Sequence, residues 1–213
     1  PATDLSGDYY DLVQCPDGSF LMVIGDVTGH GASAALAMAM AKATVAYRLA
    51  DGETGPGPLM TSLNEVFFQE LRGQRKFMTM LTVRLDPSTH RLMVESAGHN
   101  YPLHHRAASK QTEYLPMMGF PLGARQNAKR DTLQVSLEPG DVFVMYTDGY
   151  TECTLPNGEQ LGDETLRDIV DSLAGAGKDA RGILDGLLLE LNIRRASGPL
   201  GDDVTLVILR RDI

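Results

Sequence analysis

Tryptophan is absent from the 213-residue chain, and cysteine occurs only twice, as Cys15 and Cys153. Two cysteines without C-x-x-C spacing exclude a disulfide-built scaffold, make a reducing cytoplasm the expected compartment, and give no strong candidate for a thiol nucleophile. Positive charge is scarce: 19 Lys and Arg face 28 Asp and Glu, for a net charge of −9. Phosphate backbones are bound through Lys and Arg, so nucleic acid is excluded as the main partner, while the acidic surplus suits a site for divalent cations. Long apolar runs are missing too. The most apolar stretch, Ala32 to Ala50, contains Lys42 and Arg48 and is short for a bilayer crossing, and no basic leader with a cleavage site opens the chain. Neither a membrane span nor a targeting signal is expected. Internal repeats, coiled-coil heptads and low-complexity tracts are also lacking. What remains, 43% hydrophobic and 22% charged, is ordinary globular composition, and one domain accounts for the whole chain.

The stretch from Phe20 to Gly31 organises the rest. An apolar run, Phe20-Leu21-Met22-Val23-Ile24, reads as a buried strand that stops at Gly25-Asp26. Gly29 and Gly31 then let the backbone turn tightly before an Ala-rich helix. On this stretch alone Asp26 reads equally well as a turn or cap residue and as a presented ligand.

Taken in order, the chain opens with acids at Asp4, Asp8 and Asp11, where Gly7 allows close backbone approach. Cys15-Pro16-Asp17-Gly18-Ser19 is a turn between two extended flanks, so a β-hairpin brings Asp8 and Asp26 toward the same end of two strands. Ala32 to Ala50 is a helix that is apolar around most of its circumference, with Met38 and Met40 as core filler. A Gly- and Pro-rich break follows, and then a second helix from Leu59 to Leu71. Strands are expected at Met78 to Leu85 and Leu92 to Ala97, with Pro102 to Arg106 continuing the meander, and at Thr132 to Leu137. Val142 to Tyr146 repeats the opening logic, a buried strand ending in Asp148-Gly149. Helices at Leu166 to Leu173 and Ala180 to Leu191 lead to Gly201-Asp202-Asp203 and a last strand. Runs of strands and helix pairs, without βαβ alternation, favour the α+β class.

Asp8, Asp26, Asp148 and Asp202 thus all stand where a strand meets a tight, Gly-containing turn. Mg²⁺ and Mn²⁺ prefer such oxygen ligands. Clustered carboxylates repel and raise one another's pKa unless cations compensate them. Two metals roughly 3.5–4 Å apart would activate a bridging water for in-line attack on a phosphate ester, with no serine or cysteine nucleophile required. Asp203 competes with Asp202 for the ligand role, and Asp11 reads as support for the hairpin. His30 and His99 lack zinc-ligand spacing and read as turn or supporting residues. The Gly25 to Gly31 stretch lacks the Gly-Lys-Ser/Thr ending of a P-loop, which leaves nucleotide binding a weak alternative.

Five motifs carry a resemblance: Ser6-Gly7-Asp8-Tyr9-Tyr10-Asp11, Gly25-Asp26-Val27-Thr28-Gly29-His30-Gly31, Ser96-Ala97-Gly98-His99-Asn100, Tyr146-Thr147-Asp148-Gly149-Tyr150-Thr151-Glu152 and Gly201-Asp202-Asp203-Val204-Thr205-Leu206. In this order they resemble the PPM-type (protein phosphatase 2C-like) metal-dependent serine/threonine phosphatases, and within them the bacterial SpoIIE/RsbU-type branch. The resemblance implies an αββα sandwich of two mostly antiparallel β-sheets flanked by helical hairpins. It implies two Mn²⁺ or Mg²⁺ ions bridged by Asp26, one completed by Asp8 and the Val27 carbonyl, the other held by Asp148 and Asp202. A metal-bridging water would attack phosphoserine or phosphothreonine. The implied partner is a phosphorylated anti-sigma-factor antagonist of the STAS type, in a partner-switching role. The implied regulator is the protein's own N-terminal sensor or receiver domain, its signal passing through the two helices at Ala32 to Ala50 and Leu59 to Leu71. A homodimer is left open.

The sequence also departs from the family pattern. The family usually has a further strand before the Gly-Asp motif, whereas this chain opens at Pro1, as expected of a piece of a longer protein. Ser6 stands where the branch often has a second Gly, and no phosphate-binding Arg of the eukaryotic kind is identifiable. Against the phosphatase stands one alternative, a catalytically weak phosphatase-like module acting as an adaptor in signalling. The four acids favour the enzyme, since clustered charge gives a pure scaffold nothing.

Overall fold

The computed structural model describes residues 6–29, 31–71 and 76–212; Asp4 and His30 lie outside the described residues. The elements in chain order are β1 (Asp8–Gln14), β2 (Phe20–Val27), α1 (Ala32–Ala50), α2 (Pro56–Glu70), β3 (Met78–Asp86), β4 (Arg91–Ala97), β5 (Leu103–Arg106), β6 (Gln111–Tyr114), β7 (Thr132–Ser136), β8 (Val142–Tyr146), α3 (Asp148–Thr151), α4 (Asp163–Gly175), α5 (Ala180–Arg194) and β9 (Leu206–Arg210). They form two antiparallel sheets and five helices, the expected α+β class, within two compact units.

The unit built from residues 3–99 and 117–136 holds a five-stranded sheet of order β1-β2-β3-β4-β7. The β1–β2 hairpin forms around Cys15–Ser19, where the Cys15 N–H donates to the Ser19 carbonyl at 2.8 Å and Asp17 Oδ1 accepts from the Ser19 N–H at 3.0 Å. α1 buries Ala34, Ala37, Ala41, Val45 and Leu49 along one stripe, and small side chains there let the helix lie close to its neighbours. α2 starts three residues before the expected Leu59, because Gly55 is extended and Pro56 supplies the preset φ of a first helical position. Its Leu59, Met60, Leu63 and Phe67 join Tyr9, Leu21, Val23 and Val27 in one core. Truncating a fully buried Phe67 in such a core costs about 3–5 kcal/mol.

The unit built from residues 100–116 and 137–213 holds a four-stranded sheet of order β6-β5-β8-β9. β8 is buried along its whole length, as its unbroken apolar run requires of a central strand. Val142, Val144 and Tyr146 pack with Leu166, Ile169 and Val170 of α4 and Ile183, Leu187 and Leu191 of α5.

One expectation is corrected. β5 does not continue the β3–β4 meander; it pairs with β6 and β8, and β7 takes the place beside β4. Gly98, at φ 69°, turns the chain out of β4 before β5 begins. β6, of sequence Gln111-Thr112-Glu113-Tyr114, lacks the apolar alternation that marks a strand and was not expected. Among the described residues no helix is long and apolar enough to cross a membrane.

Candidate functional site

The first acid pair is set by hairpin register. Asp8 of β1 lies directly across from Asp26 of β2, and Thr79 of β3 lies across from Asp26 on its other side. Directly opposed residues share a sheet face with Cα atoms roughly 4.5–5.5 Å apart, so Asp8, Asp26 and Thr79 form one row. A Cβ placed on Gly7 would come within 3.3 Å of Asp26 Oδ1 and of the carbonyl oxygens of Val27 and Gly29. Three oxygens therefore converge on a place that the missing side chain keeps open. The Val27 N–H, donating to the Gly7 carbonyl at 3.3 Å, ties this turn to the start of β1.

Around the pair stand His99, read from the sequence as a turn or supporting residue, and two groups that the sequence did not single out, Thr79 and Lys76. Thr79 Oγ1 lies 3.5 Å from the Asp26 carbonyl oxygen and 2.9 Å from His99 Nδ1, and the His99 N–H donates to Ser96 Oγ at 3.2 Å. His99 is buried, which fits a supporting role. Lys76 Nζ donates to the Thr28 carbonyl at 2.7 Å, placing an ammonium beside the Val27–Gly29 backbone. A polar Thr79 between Met78 and Met80 was a usable signal for that strand position; nothing in the sequence marked Lys76. Asp11 accepts from the Tyr9 hydroxyl and the Leu12 N–H, with Lys42 at 3.7 Å, and so supports the hairpin as expected.

The second acid pair lies in the other unit. Asp148 is the first residue of α3, directly after β8, with Thr147 as N-cap. The Thr147 N–H donates to the Thr205 carbonyl at 3.1 Å, and the Thr205 N–H donates back to Thr147 Oγ1 at 2.9 Å. A Cβ at Gly149 has no room, because the Asp203 carbonyl stands in its place. The Asp148–Gly149 and Asp202–Asp203 turns are thereby interlocked. Asp202 is exposed and its Oδ1 accepts from the Asp203 N–H at 2.8 Å, whereas Asp203 is buried. Burial, and then the Asp202 charge, push the Asp148 carboxyl above the usual carboxylate range. Glu152 is pushed the same way by burial and by the charges of Asp148 and Asp202. A divalent cation would relieve this accumulation of negative charge. Among the described residues the acids come as pairs, with no set of three or more His, Cys, Asp and Glu side chains at metal-holding spacing.

Two antiparallel sheets with acid-and-glycine turns at their strand ends define a PP2C-type fold. The SiaA-PP2C domain of Pseudomonas aeruginosa superposes with a TM-score of 0.86 at 21% identity, covering 100% of this chain and 82% of that one. The RsbU and RsbW domains of a Mycobacterium tuberculosis protein give 0.79 at 28% identity, covering 99% of this chain and 56% of that one. Residues 16–212 match the family model described as Stage II sporulation protein E (SpoIIE), and the chain belongs to that family. Phosphoserine phosphatase RsbU of Bacillus subtilis (strain 168) is 31% identical over 217 residues, and the chain spans 62% of its length. Family membership implies dependence on a divalent metal, and the three oxygens nearest the open side of Gly7 are a donor set that fits such an ion.

Proposed function

We propose that the chain is the catalytic portion of a Mn²⁺- or Mg²⁺-dependent phosphoprotein phosphatase acting on phosphoserine or phosphothreonine. The observation that carries this reading is the Asp8–Asp26 pairing, with Asp26 Oδ1 and the Val27 and Gly29 carbonyls gathered around Gly7. Asp8, Asp26 and the Val27 carbonyl would hold one ion, and Asp148 and Asp202 the other. Asp202 takes precedence over Asp203, which is buried and whose carbonyl packs on Gly149. When bound, such ions supply Lewis acidity toward a phosphoryl group and lower the pKa of water.

The chain's own residues do the rest. The β1–β2 ladder fixes Asp8 against Asp26, and the Thr147–Thr205 exchange fixes Asp148 over the Asp202 turn. Thr79, bonded to His99, braces the Asp26 backbone. Lys76 brings positive charge to the same turn, where an incoming phosphate dianion needs it. The name of RsbU, a phosphoserine phosphatase, supports phosphoserine as the group acted on; the protein that carries it is, in this proposal, an anti-sigma-factor antagonist of the STAS type. A longer protein with an N-terminal sensor or receiver domain, signalling through α1 and α2, is the matching domain organisation.

The test is phosphate release from a phosphoserine protein and from 4-nitrophenyl phosphate with Mn²⁺. Both activities should vanish with a chelator and in Asp26→Asn; activity that survives both treatments overturns the reading.

A further inference from the structure

The segment from Met117 to Arg130 carries only one isolated bridge, Met78 with Leu122, yet its backbone is held on several sides. The Met118 N–H donates to Asp131 Oδ2 at 2.7 Å, and its carbonyl accepts from the Asp131 N–H at 2.9 Å. Leu122 and Met78 exchange N–H to carbonyl bonds of 3.3 and 2.8 Å. Buried Asn64 of α2 donates to the carbonyls of Arg125 and Gln126 and accepts from the Gly123 N–H. Gly119 lies so close to the Ser96 backbone that a Cβ would not fit.

On this fixed backbone, apolar bulk and positive charge face outward. Met118 is 74% exposed and Phe120 39%. The Arg125 guanidinium lies 4.0 Å from the centroid of the Phe120 ring, a cation–π contact that orients both side chains. Arg125 and Lys129 are exposed cations on a chain of net charge −9. The segment that carries the patch runs on to Leu122, which pairs with Met78, and Met78 pairs with Val27 beside the first acid pair. Two strand spacings, roughly 10 Å, separate the Leu122 backbone from the Val27 backbone. A protein ligand covers about 20–30 residues a side, enough to span both the Asp26–Val27 turn and a patch that begins two residues along the segment from Leu122.

We propose that Met118, Phe120 and Arg125 form the docking surface for an acidic, serine-phosphorylated protein substrate, a proposal that rests on the phosphatase reading above. Met118 and Phe120 are the apolar anchors, and Arg125 with Lys129 offsets the repulsion that an acidic partner meets from the rest of the chain. Because the backbone is held before binding, little ordering entropy is lost on contact. A small aryl phosphate is too short to reach the patch, so the two substrate types separate docking from chemistry.

The experiment measures KM and kcat for a serine-phosphorylated STAS-domain protein and for 4-nitrophenyl phosphate, with Mn²⁺, in wild type, Met118→Asp and Arg125→Glu. Either variant should raise KM for the phosphoprotein about tenfold, as expected for losing one anchor, with kcat for both substrates near wild type. Arg125→Glu changes an exposed side chain and keeps the test decisive where Met118→Asp fails to fold. Wild-type KM for the phosphoprotein in both variants overturns the docking surface and leaves the phosphatase reading standing. A wild type that releases phosphate from neither substrate overturns the phosphatase reading itself.

Discussion

A carboxylate that folding makes harder to ionise works against the fold, and Asp148 is such a group. Burial and the Asp202 charge raise its pKa in the folded chain, so between the ordinary value and the raised one the folded state holds more protons than the unfolded state. Stability then falls as pH rises through that interval and stays reduced above it. In metal-free protein, Asp148→Asn should therefore raise the thermal midpoint at neutral pH, and the gain should disappear below the ordinary carboxylate range; calorimetry in chelator across pH checks both halves. The same substitution should remove the Mn²⁺-dependent phosphatase activity. Gly149 makes the complementary case, since Gly149→Ala drives a methyl into the Asp203 carbonyl. Its cost should be about 1–3 kcal/mol in urea unfolding, the ordinary range for overpacking. Residues of this kind were partly legible in the sequence. Asp8 and Asp26 were, because an Asp-Gly turn between two strands fixes which residues face each other. Lys76 was not, because its role rests on a 2.7 Å contact with a carbonyl 48 residues away, which no local pattern encodes.

At the scale of elements, the hairpin, α1 and β8 could be read directly, each having a composition with one good solution. β5 could be recognised as a strand but not assigned to a sheet, because four residues with two histidines say nothing about which neighbour they pair with. The polar β6 was illegible for a related reason: its strand state comes from its pairing with β5 and not from its own propensity. α2 hides a further tertiary feature. Asn64 is buried on its apolar face and satisfies two carbonyls and one N–H of the 123–126 backbone. Replacing it by Leu raises helix propensity and keeps the number of side-chain heavy atoms but strands those partners, so Asn64→Leu should destabilise by about 2–4 kcal/mol. The urea midpoint should shift with little change in slope, as expected for an effect on the folded state. A midpoint equal to wild type would mean that this backbone is satisfied without α2.

For the whole molecule, 28 acids against 19 Lys and Arg mean that any cation stabilises the fold to some degree, and general screening must be separated from binding. Screening follows ionic strength, and at about 0.1 M salt the Debye length is already about 10 Å, so a millimolar addition hardly alters it. A bound ion instead stabilises by RT ln(1 + [L]/Kd), about 2.7 kcal/mol at a hundredfold excess over Kd. For a chain of this length that corresponds to roughly 5–11 °C in thermal midpoint. About 1 mM Mn²⁺ in about 0.1 M NaCl should therefore raise the midpoint by several degrees, while NaCl of matched added ionic strength should leave it almost unchanged. Asp26→Asn and Asp202→Asn should each shrink the Mn²⁺ shift, and the double variant should lose it. An undiminished shift in the double variant would place the stabilising ions elsewhere on the acidic surface and remove these two carboxylates from the proposed metal set.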